Sequence, residues 1–346
     1  MPLLDSAAAR SAALAAGFHE AGVARARPLD PGPLARVLAG GWEADMAGLG
    51  GQAAERLDPS RLLPGARSVL ALALSYAAAP APEPAEGRVA RYARGRDYHA
   101  VMRRRLADLL RRLRERDPEL RAFASSDIAP VMEKAWAQEA GLGWVGKNGC
   151  LITPRHGSWV LLATVILDRE LEPDAPHPER CGTCEACLPA CPTGAFPAPG
   201  FVDARRCIAF QTIERRGAVP EAVAERIGPW VFGCDDCQTA CPWNRAVEPS
   251  ADPELLPRRP GLDLAALLRL RFDEYQRDFY GTSLARARYE GLLRNALLAA
   301  GWSGEARHAA AVRAQLDSEF PGVREAARWA AARLEAGPVE AHPGGR

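Results

Sequence analysis

Nine cysteines occur in this chain, and eight of them fall into an ordered pattern. Cys181, Cys184, Cys187 and Cys191, with Pro192 directly behind, read C-x2-C-x2-C-x3-C-P; Cys234, Cys237 and Cys241, with Pro242 behind, read C-x2-C-x3-C-P. Thiolates at these spacings hold iron–sulfur cubanes, and the cysteine before the proline serves the other cluster of a pair. A cubane takes four thiolates, so the second run lacks one, and Cys207, between the runs, is the natural eighth. The expected sets are Cys181, Cys184, Cys187 and Cys241 for one [4Fe–4S] cluster and Cys191, Cys207, Cys234 and Cys237 for the other. Cys150, in a Gly/Asn turn, is left over as a bystander. A zinc site would use four ligands and leave the C-x3-C-P cysteines unexplained. Disulfides need an oxidising compartment, whereas the start of the chain is an Ala/Arg-rich amphipathic segment without the apolar core of a signal peptide.

Cubanes move electrons singly and make no bonds to carbon. The chain is therefore either an electron carrier or a conduit to a second redox centre. About half of it precedes Cys181, more than a carrier needs, which favours a second cofactor and a substrate held in that part.

The elements that must position these groups follow from the pattern of apolar residues. Positions 3–17 have helical spacing and stop at Gly17, a suitable helix-ending glycine. Ser68–Tyr76 is a short apolar run bounded by Pro64-Gly65 and the Pro/Ala-rich 77–86 loop, and reads as a buried strand. Asp97–Arg116 predicts a helix with Val101, Leu106, Leu109, Leu110 and Leu113 inward, ended by Pro118. In Ser125-Ser126-Asp127-Ile128-Ala129-Pro130 a polar turn leads into a proline expected in the first turn of a helix, so Asp127 lies at a chain reversal just outside a helix N-terminus, a place that suits capping. Gly141-Leu142-Gly143-Trp144-Val145-Gly146 matches G-x-G-x-x-G by letter, but a helix precedes it and a turn follows, the reverse of a dinucleotide fingerprint. Gly157–Leu167 is the second strong strand. Helices are expected over 262–270, 284–300, 304–317 and 321–336, the last three amphipathic, the last two resembling the paired helices of HEAT-type repeats. The fold class is α+β: an α/β domain over 1–176, a ferredoxin-like two-cluster domain over 177–245, a helical domain over 260–336, and a disordered Pro/Gly-rich tail over 337–346.

With 346 residues, 48% of them hydrophobic and 25% charged, the chain has room for two or three domains. No apolar run approaches the ~20 residues of a membrane span. The net charge of +1 means that a nucleic-acid partner must be met by local basic patches. Two are visible: Arg103, Arg104, Arg105, Arg111, Arg112, Arg114 and Arg116 on one predicted helix, and Arg286, Arg288, Arg294, Arg307, Arg313, Arg324 and Arg328 on the C-terminal helices. A missing targeting signal and reduced thiols imply a cytoplasmic protein.

Taken in order, Gly95-Arg96-Asp97-Tyr98-His99, Asp127 with Pro130 and Glu133, Gly141 to Asn148, Pro154, Gly157-Ser158 and the two cysteine runs make the chain resemble the epoxyqueuosine reductase family from Arg56 to Trp329. The resemblance implies a cobalamin-dependent enzyme with a reductive-dehalogenase-like core and two [4Fe–4S] clusters. It also implies a substrate, tRNA carrying epoxyqueuosine at the wobble position of a GUN anticodon, a flavodoxin or ferredoxin system as electron donor, and a monomer. By the same resemblance Asp127 is the acid that protonates the departing epoxide oxygen, its pKa raised by an enclosed pocket. Implied cofactor contacts are Arg56, Asp127, Leu151, Pro154, Arg155, His156, Gly157, Ser158, Trp159, Val160, Leu161, Leu162, Ile208, Cys234 and Asp235. The cobalamin signature D-x-H-x-x-G is absent, since Asp97-Tyr98-His99 continues Ala-Val-Met, and His99 is therefore expected to be structural or on the surface. Where some relatives have a cysteine before Arg91, this chain has Ala90. The competing functions are a corrinoid reductase of small molecules, such as a reductive dehalogenase, and a ferredoxin-like carrier with a helical docking tail.

Overall fold

A computed structural model describes residues 4–79 and 81–336. The expected tail at 337–346 lies outside the described residues. A four-stranded antiparallel sheet organises the first half, in the order β1 (Glu20–Arg25), β2 (Ser68–Ser75), β7 (Val160–Leu167), β4 (Ala122–Ser125). Both central strands were legible as apolar runs because both of their faces are covered. Leu70, Leu72 and Leu74 of β2 and Leu161, Ala163, Val165 and Leu167 of β7 face the helices Ser6–Ala15 and Tyr98–Arg116. Val69, Ala71, Ala73 and Ile166 face the helix Glu133–Glu139. The short edge strands β1 and β4 lacked such a run and were not expected.

Asp5 caps the first helix by accepting from the Ala8 N–H at 2.7 Å, and Gly17 behind it has φ +93°. Asp97 caps Tyr98–Arg116, whose Val101, Leu106, Leu109 and Leu113 are buried as the spacing predicts, while Leu110 is only half-buried and Met102 is buried beside them. The helix after Asp127 begins only at Glu133, so Pro130 lies ahead of it and not in its first turn.

Two smaller pairings connect this sheet to the cysteine segment. β5 (Trp144–Val145) and β6 (Leu151–Ile152) form an antiparallel hairpin whose Trp144 and Ile152 pack on Cys241. β3 (Arg88–Val89) runs parallel to β8 (Trp230–Phe232). G-x-G-x-x-G thus follows a helix and precedes a turn, as expected, but it also contains the first strand of a hairpin, which was not.

The C-terminal helices differ most from expectation. The 284–300 segment is a 3-10 turn, Ser283–Ala287, then a helix Arg288–Ser303 that is buried throughout Gly291–Gly301 and is therefore not amphipathic. Phe272–Phe279, not expected as a helix, is one; its Tyr275 and Phe279 face inward, but eight residues are too few for a periodic signal. The helix Pro321–Ala336 crosses Arg288–Ser303 closely: a Cβ at Gly301 would lie 2.6 Å from Trp329 and 2.8 Å from the Ala330 Cα. One hydrophobic core includes Ile208, Val231, Phe232, Leu264, Leu297, Val312 and Ala330, so the C-terminal helices and the cysteine segment close over the same interior.

Candidate active site

Cys181, Cys184, Cys187 and Cys241 line one cavity, together with Lys147, Asn148, Ile152, Pro242 and Trp243. The Trp144 indole N–H points at Cys181 Sγ, 3.4 Å away. Burial, then the crowding of Cys241, Cys181 and Cys184, pushes the Cys187 thiol up to about 11. A second group forms apart from it. Burial raises Cys237, which also feels Cys207 and Cys191; it raises Cys234, which feels Cys237 and Cys207; and it raises Cys207, which feels Cys191. Thiols grouped in this way repel one another as thiolates and are held deprotonated only by bound cations. Cys150 is not without effect there: it is the largest thiol influence on Cys237.

At the end of β4 the chain turns through Asp127, which adopts φ +64°, a left-handed conformation rare outside glycine but tolerated by Asp and Asn. The Asp127 N–H donates to Glu133 Oε1 at 2.9 Å, tying the loop to the first residue of the next helix. Asp127 Oδ2 accepts from the Tyr98 hydroxyl at 2.6 Å and lies 3.3 Å from His99 Nε2, while His99 Nδ1 lies 2.8 Å from Asp97 Oδ1. Tyr98 and His99 stack with ring centroids 4.0 Å apart. The carboxylate is 63% exposed. The His99 hydrogen bond, against burial, brings the Asp127 pKa below its ordinary range, and the same bond raises that of His99. Burial alone would raise the Asp127 pKa, as an enclosed pocket is expected to do, and the hydrogen bonds from His99 and Tyr98 outweigh it here. His99, expected to be structural or on the surface, is half-buried and bridges Asp97 and Asp127. Sequence reasoning discounted His99 for lacking the D-x-H-x-x-G glycine; its place beside Asp97 at a helix start was the signal available.

The remaining expected contacts divide. Arg56 acts electrostatically on Glu133, and its Nε is buried without a partner among the described residues. Ser158 is fastened to the cysteine segment: its N–H donates to Asn244 Oδ1 at 2.7 Å and its hydroxyl to Gln238 Oε1 at 3.0 Å. Gly157 there has φ +58°, and a Cβ would meet Asn244 Oδ1 at 2.0 Å. Trp159 and Leu161 enter the core on one face of the sheet, and Val160 and Leu162 pack on the other. Leu151 is buried in β6, Pro154 and Arg155 are exposed, and Ile208 belongs to the shared core. His156 turns toward Glu20, at 3.6 Å, and His19. Asp235, between Cys234 and Cys237, is buried and accepts from the Arg91 N–H at 2.8 Å; burial pushes it up to about 6. Ala90 is buried and packs against Gly233, beside Cys234.

A family model for a 4Fe-4S double cluster binding domain matches residues 180–244, and one for epoxyqueuosine reductase (QueG, DUF1730) matches residues 56–126. The curated epoxyqueuosine reductase of Gloeobacter violaceus is 47% identical over 309 residues, covering 86% of this chain and 96% of its own. The chain belongs to the epoxyqueuosine reductase family. Another member, from Xanthomonas campestris pv. campestris, is 39% identical over 344 residues, with 96% of this chain and 97% of the relative covered. Among solved structures, an epoxyqueuosine reductase with an epoxyqueuosine-modified tRNA-Tyr stem loop superposes with a TM-score of 0.86 at 31% identity, over 94% of this chain and 89% of that one. A Bacillus subtilis member, solved with an aspartate-bearing catalytic loop swung out of the active site, has a TM-score of 0.86 at 30% identity, with the same coverage. The family's double-cluster region is thus the part of this chain in which the two thiol groups form. No helix among the described residues is long and apolar enough to cross a membrane.

Proposed function

We propose that this chain reduces epoxyqueuosine to queuosine in tRNA. The observation that carries this reading is the match, over nearly the whole chain, to an epoxyqueuosine reductase solved with a tRNA stem loop bearing the modified base. The reaction takes up two electrons and two protons; both C–O bonds of the epoxide break, a C=C bond forms and the oxygen leaves as water. Two [4Fe–4S] clusters and a cobalamin would supply the electrons when bound.

The residues present fit those groups. The sets Cys181, Cys184, Cys187, Cys241 and Cys191, Cys207, Cys234, Cys237 offer four thiols each, and the first surrounds a cavity. The unpartnered Arg56 Nε beside the Asp127 loop suits the amide-rich rim of a corrin. Leu151, Pro154 to Leu162, Ile208, Cys234 and Asp235 belong to the same proposal, with Ser158 joining the loop before β7 to the cysteine segment and Asp235 tying that segment to Arg91.

Asp127 and His99 handle the proton. His99, made more basic by Asp127 and held by Asp97, passes its proton to Asp127, which, exposed and hydrogen-bonded by Tyr98, delivers it to the departing oxygen, while solvent supplies the second proton of the water formed. That a relative's catalytic aspartate sits on a loop able to swing supports giving this role to the Asp127 loop. The divisions at 1–176, 177–245 and 260–336, the reductive-dehalogenase-like character of the core and the HEAT-like character of the crossed C-terminal helices complete the reading. So do a monomer, a cytoplasmic location and a flavodoxin or ferredoxin donor.

The test is anaerobic reconstitution, addition of reductant and an epoxyqueuosine-bearing anticodon stem loop, and mass spectrometry of the nucleosides. Loss of one oxygen from the modified base is expected. An unchanged base, with reduction of a halogenated aromatic instead, would establish the small-molecule alternative.

A further inference from the structure

Basic residues are common on this surface, and many of them are paired with carboxylates. Arg104 pairs with Glu254, Arg105 with Asp252, Arg111 with Asp108 and Glu115, Arg112 with Asp108, Arg307 with Glu86 and Arg313 with Glu335. Four of the seven arginines expected as a patch on Tyr98–Arg116 are therefore paired, while Arg103, Arg114 and Arg116 are exposed without an ion pair among the described residues. One cluster differs. Arg216, Arg286 and Arg288 are exposed together on the turn after Ile208–Ile213 and on the approach to Arg288–Ser303. Arg286 pairs with Glu214 at 2.8 Å, but Arg216 donates only to carbonyls, Ile213 O at 3.1 Å and Arg286 O at 3.0 Å. Among the described residues neither Arg216 nor Arg288 forms an ion pair with a carboxylate. Arg215, alongside, pairs with Asp45 at 2.6 Å, and Glu290 is the other acidic group close by.

Beneath the cluster lies Arg294, 3% exposed and without a carboxylate partner. Its guanidinium donates to the carbonyls of Gln211 at 2.7 Å, Arg215 at 2.9 Å and Gly217 at 2.7 Å, and to Asn295 Oδ1. It is thus corrected from the expected basic surface into a buried brace that fixes the turn presenting Arg216. Five guanidiniums (215, 216, 286, 288 and 294) face four carboxylates (Asp45, Glu214, Glu290 and Asp127), leaving a local excess of one positive charge. A buried cation without a counter-ion sustains that excess, because little water screens it. The cluster adjoins the reaction site: Arg286 helps to lower the Asp127 pKa, and Asp127 and Tyr98 help to raise that of Arg286.

We infer that Arg216, Arg286 and Arg288 form an anchor for the phosphodiester backbone next to the reacting nucleotide, with Arg294 holding its frame. This rests on the proposed action on tRNA. A base that presents its substituent to Asp127 keeps its own phosphates within a nucleotide's length, on the rim where these guanidiniums stand. Guanidinium forks match phosphate oxygens in pairs, and such contacts fix position without reading sequence.

The test compares the reconstituted full-length enzyme with Arg216→Gln, Arg288→Gln and the double variant, using Arg114→Gln as an exposed-charge control. Binding of an unmodified anticodon stem loop is titrated over a range of salt, and KM and kcat are measured on the epoxyqueuosine-bearing one. Each anchor substitution is expected to weaken binding about three- to tenfold and to lower the salt slope by about one. KM should rise with kcat at saturation nearly unchanged, while the control moves little. Wild-type binding and slope in the double variant, with conversion intact, would overturn the anchor and leave the function standing. Equal weakening by Arg114→Gln would also overturn it, as diffuse attraction in place of a site. Failure of the wild-type enzyme to convert any modified stem loop would remove the proposed function itself.

Discussion

Asp127 and His99 share one proton, and its position sets the pH dependence. His99 has a raised pKa, so it keeps the proton below that pKa and loses it as pH rises through it; Asp127, lowered, stays a carboxylate over the same range. The rate of oxygen removal is expected to fall on the alkaline side with the His99 titration. In His99→Gln the proton must rest on Asp127, which without its partner returns toward the ordinary carboxylate range, so the falling limb should move to acid pH by at least about two units. A pH–rate profile checks this; an unmoved limb would exclude His99. Asp127→Asn, which tolerates the same left-handed backbone, should keep iron and cofactor content and lose turnover. Cys207→Ala should halve the iron content and Cys150→Ala leave it unchanged; because Cys150 acts electrostatically on Cys237, iron analysis of both variants decides the eighth ligand. The cysteine pattern was legible because cluster ligation imposes short, local spacing. The His99–Asp127 bond was not, since it depends on where a helix start and a strand end meet in space.

Apolar runs revealed the helix Tyr98–Arg116 and the strands β2 and β7 because continuous burial leaves a continuous signal. Edge strands of four to six residues, and helices whose burial is shared with distant segments, leave none. The junction loop at Gly157 shows what such local reading misses: its conformation is set by Asn244, far along the chain. Gly157→Ala would add left-handed strain and a clash with Asn244 Oδ1, breaking the Ser158–Asn244 joint. A lower unfolding midpoint, together with less iron retained on anaerobic gel filtration, is expected; unchanged iron would mean that the joint does not support the thiols. Arg294→Ala would leave three carbonyls without their charged donor, where such bonds contribute about 1.5–3 kcal/mol each, and should lower the denaturant midpoint well beyond any of the exposed arginine changes.

The shared core from Ile208 to Ala330 makes the C-terminal helices part of the support for the thiols. Deleting everything after Pro260 would strip the cover from Val231 and Phe232, and the truncated chain is expected to lose iron as well as RNA binding. Retention of both cluster spectra by that fragment would show the helices to be an independent unit. The account as a whole requires that electrons, thiols and the Asp127 pair serve one reaction on one substrate. The most direct test is an anaerobic titration of the reconstituted enzyme with a calibrated reductant in the presence of excess epoxyqueuosine stem loop, counting electrons consumed against queuosine formed. Two electrons per queuosine are predicted once the metal centres are filled. Electrons taken up without queuosine would contradict the account and leave an electron carrier in its place.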